Sequence, residues 1–274
     1  VLKFSKTPLE PLLMSEPTHF PVSQSKSTRL FLFLGFFFLT NALIAEFVGV
    51  KIFSLEQSLG LEPFAFSLLG ESGLAFNLTA GVLLWPFVFV MTDLINEYFG
   101  KKVVKFLSYL TVGMILYAFA MIYFSIHLPP AGFWPGSQSA HGVPDLDRAF
   151  GAIFGQGLWI IAGSMVAFLI GQLLDVTVFQ FVRRLTGDKA LWLRATGSTL
   201  VSQLVDSFVV LFIAFYLGAG WSLPLVLAVG LVNYAYKFSM AVLMTPLIYL
   251  AHARIDTYLG LELSEQMRAE ASSI

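Results

Sequence analysis

Asp93, Asn96 and Glu97 stand at i, i+3 and i+4 in residues 92–102, Thr-Asp-Leu-Ile-Asn-Glu-Tyr-Phe-Gly-Lys-Lys, at the end of an apolar run over residues 74–91. On a helix that spacing stacks two carboxylates and a carboxamide on one face. Such a face can accept a ligand's N–H groups, carry a proton, or form half of a buried ion pair. A second pattern occurs twice: AFLIGQLLDVTVFQFV at 167–182 and STLVSQLVDSFVVLFI at 198–213 align at an offset of 31 residues, pairing Gln172 with Gln203 and Asp175 with Asp206. Each copy sets a carboxamide and a carboxylate at i, i+3, so two helices could converge on one ligand, or hold each other by hydrogen bonds. Asn233 and Lys237, at i and i+4, add a carboxamide and a cation next to Tyr234. A lysine in such a run needs a partner, and Asp175 and Asp206 are both candidates for an ion pair with it.

The elements that must position these groups are membrane helices. Of the 274 residues, 57% are hydrophobic and 12% charged, and the mean hydropathy is +0.79. Several apolar runs of about 18 residues or more are each long enough for a spanning helix. The expected fold is all-α, a polytopic bundle of six transmembrane helices at about 29–53, 74–99, 103–126, 150–182, 197–217 and 223–251. A mobile tail is expected at 1–28 and a second tail at 252–274, both cytoplasmic, around a membrane domain at 29–251. The fourth span is over-long, so it is expected either to tilt or to be preceded by a short surface helix around Phe150 to Gln156. A signal-peptide reading of residues 30–50 fails because the run is too long and carries Asn41 and Glu46.

Lys and Arg set the orientation. Thirteen of them fall on the side of the two tails and of the second and fourth connections, against Arg148 alone on the other side. This bias predicts both termini inside. Glu46, Lys51, Asp93, Glu97, Asp175, Asp206 and Lys237 lie within the expected spans or at their ends. Each costs roughly 2.5 to 3.5 kcal/mol at a helix centre, so they must face one another, water or a ligand. A polar cavity inside the bundle follows. For Asp93 and Glu97 the alternative is a helix end among lipid headgroups, where Lys101 and Lys102 neutralise them. Trp85, Phe87 and Phe89 precede the acidic segment and offer flat rings for stacking. Gly151 and Gly155 form a small-xxx-small pattern able to support a helix contact or a homodimer.

Other classes lose ground. With a net charge of −1 and no basic stripe, no nucleic-acid partner is expected. Zero cysteines exclude disulfides and thiolate metal sites. No GxxxxGK[ST] or HExxH occurs, and the spacing of Lys237 and Ser239 turns them to different faces, so neither a cofactor, a metal nor an enzyme is expected.

The segment 92–102, together with Arg194-x3-Ser198-Thr-x2-Ser202-Gln203-x2-Asp206 and Lys237-x7-Thr245-Pro246, resembles the queuosine precursor transporter family, also described as vitamin-uptake-transporter-like. Asn41 and Lys51 fit that family's opening helix, and the resemblance runs over roughly residues 30–251. It implies uptake of 7-cyano-7-deazaguanine or 7-aminomethyl-7-deazaguanine across the bacterial inner membrane, for salvage into modified tRNA. A guanine-like ring needs a carboxylate for its adjacent N–H donors and a donor for its O6. Asp175 or Asp206 suits the first, and Gln172, Gln203, Asn233 or Lys237 the second. Asn41 and Asp93 complete the candidate binding set, while Lys51, Asn96 and Glu97 are candidates for gating or coupling. The rival readings are a substrate-binding subunit that works with a separate ATPase module, and a membrane scaffold or enzyme that transports nothing.

Overall fold

A computed structural model describes residues 25–155, 157–187 and 190–273. Of the tail expected at 1–28, all but residues 25–28 lie outside the described residues, as does Gln156. In chain order the elements are α1 (Lys26–Val48), β1 (Ile52–Ser54), α2 (Leu55–Ser58), β2 (Phe66–Leu68), β3 (Glu71–Leu74), β4 (Asn77–Thr79), a 3-10 turn (Ala80–Leu83), α3 (Trp85–Phe99), α4 (Lys101–Ile126), a 3-10 turn (Ser139–His141), α5 (Leu146–Phe154), α6 (Leu158–Thr186), α7 (Leu191–Leu211) with a π-helical continuation (Phe212–Leu217), α8 (Leu223–Leu259) and α9 (Leu261–Ser273).

Among the described residues five stretches are long and apolar enough to cross a membrane: α1, α4, α5 with α6, α7 with its continuation, and α8. Their outer faces expose Phe33, Phe36, Phe106, Tyr117 and Leu243. Helices that satisfy their own backbone bonds and present apolar side chains outward are what a bilayer requires. The chain is an all-α, multi-pass membrane protein.

The second expected helix is the main correction. Residues 74–83 are not α-helical: Asn77–Thr79 pairs antiparallel with Ile52–Ser54, and a 3-10 turn leads into α3, which has Pro86 in its first turn. Proline is tolerated there and breaks a helix further in. Gly81 fixes the arrangement, since a Cβ on it would sit 2.5 Å from the carbonyl oxygen of Ala45 in α1. The 15 residues of α3 span about 22 Å, short of a hydrocarbon core of about 30 Å. A second strand pair, β2 with β3, caps the same end of the bundle, where Ser222 at the start of α8 donates to Glu71 at 3.3 Å.

α3 is the hub. Val88, Phe89, Val90 and every residue from Thr92 to Tyr98 are buried, and the helix packs against α1, α4, α6, α7, α8 and α9. A helix apolar on most faces belongs at the centre of a bundle, and its polar groups must then find partners inside the protein. Gly100, at φ 83, makes the turn into α4 with the Ala271 backbone of α9 directly behind it.

The fourth run, expected at 150–182, is divided between α5 (Leu146–Phe154) and α6, and Gly151 and Gly155 pack against Ile126 of α4. Residues 252–273, expected as a tail, are helical: α8 runs on to Leu259, and α9 buries Ser264, Met267 and Ala271. Lys26 reaches the Leu259 carbonyl at 3.4 Å and Arg183 that of Arg268 at 2.9 Å, so the start of α1, the end of α6 and α9 share one end of the molecule. Lys51 is not in the first span; α1 ends at Val48, and Lys51 lies beyond it, exposed at the opposite end.

Candidate functional site

α3, α7 and α8 enclose a pocket of about 470 Å³, open space at its mouth included. One wall is Val82 with Trp85, Pro86, Phe89, Val90 and Asp93; the second is Thr196, Thr199 and Gln203; the third is Tyr236, Lys237, Met240, Ala241, Met244 and Ile248. This is a mostly apolar cleft with a few convergent polar groups, the usual build of a small-molecule site. The Trp85 ring leans on Phe168 of α6, centroids 5.5 Å apart, which holds it in the wall.

The polar groups differ in how far the protein satisfies them. Lys237 forms a hydrogen-bonded ion pair with Asp206, the partner that sequence had left open alongside Asp175. Thr196 and Thr245 share a hydroxyl hydrogen bond of 2.8 Å. Both Asp93 oxygens and the Gln203 amide nitrogen are buried with no hydrogen-bond partner among the described residues.

Behind the pocket the polar face of α3 is tied down. Thr92 donates to Gln172 Oε1 at 3.0 Å, and Asn96 Oδ1 accepts from Gln180 at 2.7 Å. Glu97 is wholly buried and takes Arg194 at 2.7 Å and Arg183 at 3.6 Å. The neutralisers are these arginines of α7 and α6; Lys101 and Lys102, one to two turns away at the start of α4, are not. The headgroup reading of Glu97 fails for the same reason. Asp175 accepts from Ser202 at 3.2 Å.

The duplicated pairs therefore part company. Gln203 lines the pocket and Asp206 flanks it through Lys237, whereas Gln172 and Asp175 are buried between helices. Asn41 is buried in α1 and donates to the Phe37 carbonyl at 2.8 Å. Asn233 is half-buried outside the lining, and Phe87 is not in the wall although Trp85 and Phe89 are. Sequence reasoning missed Thr196, Thr199, Tyr236 and the methionines of α8. It also missed the work of Arg183 and Arg194, although the i, i+4 spacing of Arg194, Ser198 and Ser202 marks a polar stripe on α7. Glu46 of α1 is held by the Ser164 hydroxyl at 2.6 Å. Among the described residues no group of three or more His, Asp or Glu is placed to hold a metal ion.

A family model described as "Putative vitamin uptake transporter" matches residues 79–251. The probable queuosine precursor transporter of Bacillus subtilis is 31% identical over 186 residues, 66% of this chain and 75% of that protein. The queuosine precursor transporter of Escherichia coli is 28% identical over 64% of this chain and 72% of its own length. The probable queuosine precursor transporter of Haemophilus influenzae is 28% identical over 62% and 66%. No solved structure matches. The relatives are named as transporters, which agrees with reading the chain as no enzyme, and the match over residues 79–251 takes in α3, α7 and most of α8: the chain belongs to this uptake transporter family.

Proposed function

We propose that this chain imports queuosine precursors, 7-cyano-7-deazaguanine or 7-aminomethyl-7-deazaguanine, across the bacterial inner membrane. One observation carries the reading: every residue that lines the pocket falls inside the stretch, 79–251, over which the chain matches the uptake family. The relatives' names supply the substrate, and a flat purine-like base suits a cleft with Trp85 and Phe89 on one wall.

Six crossings with both termini inside is the topology that supports import best. The 3-10 turn adds about 8 Å to the roughly 22 Å of α3, together near the thickness of the hydrocarbon core. The end of the molecule that gathers Lys26, Lys101, Arg183, Arg194 and Arg268 is then the cytoplasmic one, in line with the positive-inside rule. Asp93, Gln203, Asp206 and Lys237 form the binding set. Glu97 and Asn96 anchor α3, and Gln172, Asp175, Asn41 and Asn233 support the bundle around it. Lys51 lies in the connection between α1 and β1.

The test is the queuosine content of tRNA in a host unable to make the precursor, supplied with each 7-deazaguanine at low concentration. Restoration by this chain is expected; no restoration despite correct insertion overturns the proposal. Repeating it in hosts with and without ATPase modules of vitamin importers separates a self-sufficient importer from a binding subunit.

A further inference from the structure

We infer that Asp93 and Gln203 together read the hydrogen-bonding edge of the ligand, and that the edge they select is a ring N–H with a neighbouring exocyclic amine, next to a ring carbonyl. The inference rests on the proposed import of 7-deazaguanines and assigns their recognition to two residues.

The pocket's polar atoms differ in what the protein already gives them. Lys237 and Asp206 occupy each other, and Thr196 is bonded to Thr245. Of the wholly buried polar atoms in the lining, both carboxylate oxygens of Asp93 and the amide nitrogen of Gln203 have no hydrogen-bond partner among the described residues, and the two residues are 1% and 3% exposed. Unpartnered buried polar atoms are rare in folded proteins and need a reason. Among the described residues no salt bridge to Asp93 forms: Arg194, which acts on it only at longer range, and Arg183 are paired with Glu97, Lys237 is paired with Asp206, and its neighbours Asp175 and Glu97 are acids.

Two acceptors on one carboxylate match two parallel N–H groups, and an amide N–H matches a carbonyl. A guanine-type six-membered ring presents that set as N1–H, the 2-amino group and O6. The substituent at C7 belongs to the other ring, so the same contacts serve either precursor. A ring with a lone pair at N1 would face an Asp93 oxygen with like polarity and be rejected.

The test is binding of 7-deazaguanine, 7-deazahypoxanthine and 7-deazaxanthine to the purified protein, read by isothermal calorimetry. Wild type is expected to prefer 7-deazaguanine over the other two by roughly 10- to 100-fold, the discrimination of one bidentate pair. Asp93→Asn turns one acceptor into a donor, so it should bind 7-deazaxanthine, with N1–H beside a 2-oxo group, better than 7-deazaguanine. Wild type that binds the base lacking the 2-amino group equally well, or an Asp93→Asn protein with unchanged order, overturns the inference while leaving import intact. Gln203→Glu is the second variant. Its carboxylate would face O6 with like polarity, so it should weaken 7-deazaguanine by roughly 10-fold or more, and unchanged affinity counts against the assignment. Wild type that neither binds nor imports any of these bases refutes the import reading itself.

Discussion

Glu97 and Arg194 meet at 2.7 Å with side chains 0% and 4% exposed, and Arg183 stands 3.6 Å from the other carboxylate oxygen. One acid on α3 thus receives a base from α7 and another from α6, about one helical turn from Asp93 in the pocket wall. Removing one member of such a buried pair leaves an uncompensated charge at a cost of about 3 to 5 kcal/mol. Arg194→Ala leaves Arg183 to hold Glu97 and is expected to lower the thermal midpoint of the detergent-purified protein, and Glu97→Gln to lower it further, since it takes the acid from both guanidinium groups. Affinity for ligand in the protein that remains folded should change little. A variant of normal stability that has lost its affinity would show that Glu97 serves the ligand rather than the frame.

The sequence makes some of this legible and hides the rest for physical reasons. Apolar length reveals the long helices, and the over-long fourth run is divided between α5 and α6. Hydropathy sees only apolarity, so it cannot distinguish helix from three-residue strands, and residues 77–79 were absorbed into the second helix although they pair with β1. Asp206 with Lys237 was one of two pairings that spacing allowed. The partners of Glu97 are 86 and 97 residues distant in sequence, and local pattern pointed instead to the adjacent Lys101 and Lys102.

Lys237 lines the pocket and pairs with Asp206, 15% and 20% exposed, so each single change alters the charge of the pocket wall. Lys237→Met leaves Asp206 as an unpaired anion, and Asp206→Asn leaves an unpaired cation. The first is expected to favour the cationic aminomethyl precursor over the neutral cyano one, and the second to reverse that order. Competitive uptake of the two precursors measures the ratio; identical ratios in both variants would remove the pair from the site.

α9 is tied to α8 by Arg268, which reaches Asp256 at 3.4 Å, and Tyr98 of α3 holds the same carboxylate, its hydroxyl donating to Asp256 at 2.8 Å and lying 3.1 Å from His252. Loss of one such bond costs about 1 to 3 kcal/mol when a buried partner is left behind. The chain has no cysteine, so a thiol at the buried Ser264 is a clean reporter of α9 release. In a Ser264→Cys background, Tyr98→Phe and Arg268→Ala should each speed maleimide labelling several-fold. Labelling that is slow and equal in all three proteins would mean that the clamp lies elsewhere.

Glu56 makes the strand cap sensitive to acid. Burial alone would push its carboxyl up, but the amides of Phe76, Glu56 itself and Phe64 and the hydroxyl of Ser54 donate to it and hold it below the ordinary value of 4.5. The Phe76 amide lies at 2.8 Å and the Ser54 hydroxyl at 3.1 Å, so one carboxylate ties α2 to the chain entering β4. A group whose value falls on folding stabilises the fold fully above its unfolded value, and that contribution is lost as pH drops through the lowered one. Amide exchange across residues 52–79, corrected for the intrinsic rate, should be slow at neutral pH and accelerate once the pH is well below 4.5. Glu56→Gln carries no charge to lose, so it should start faster at neutral pH and show a flatter dependence. If both proteins gain exchange in parallel on acidification, the acid sensitivity belongs to another group and Glu56 is only a packing residue of the cap.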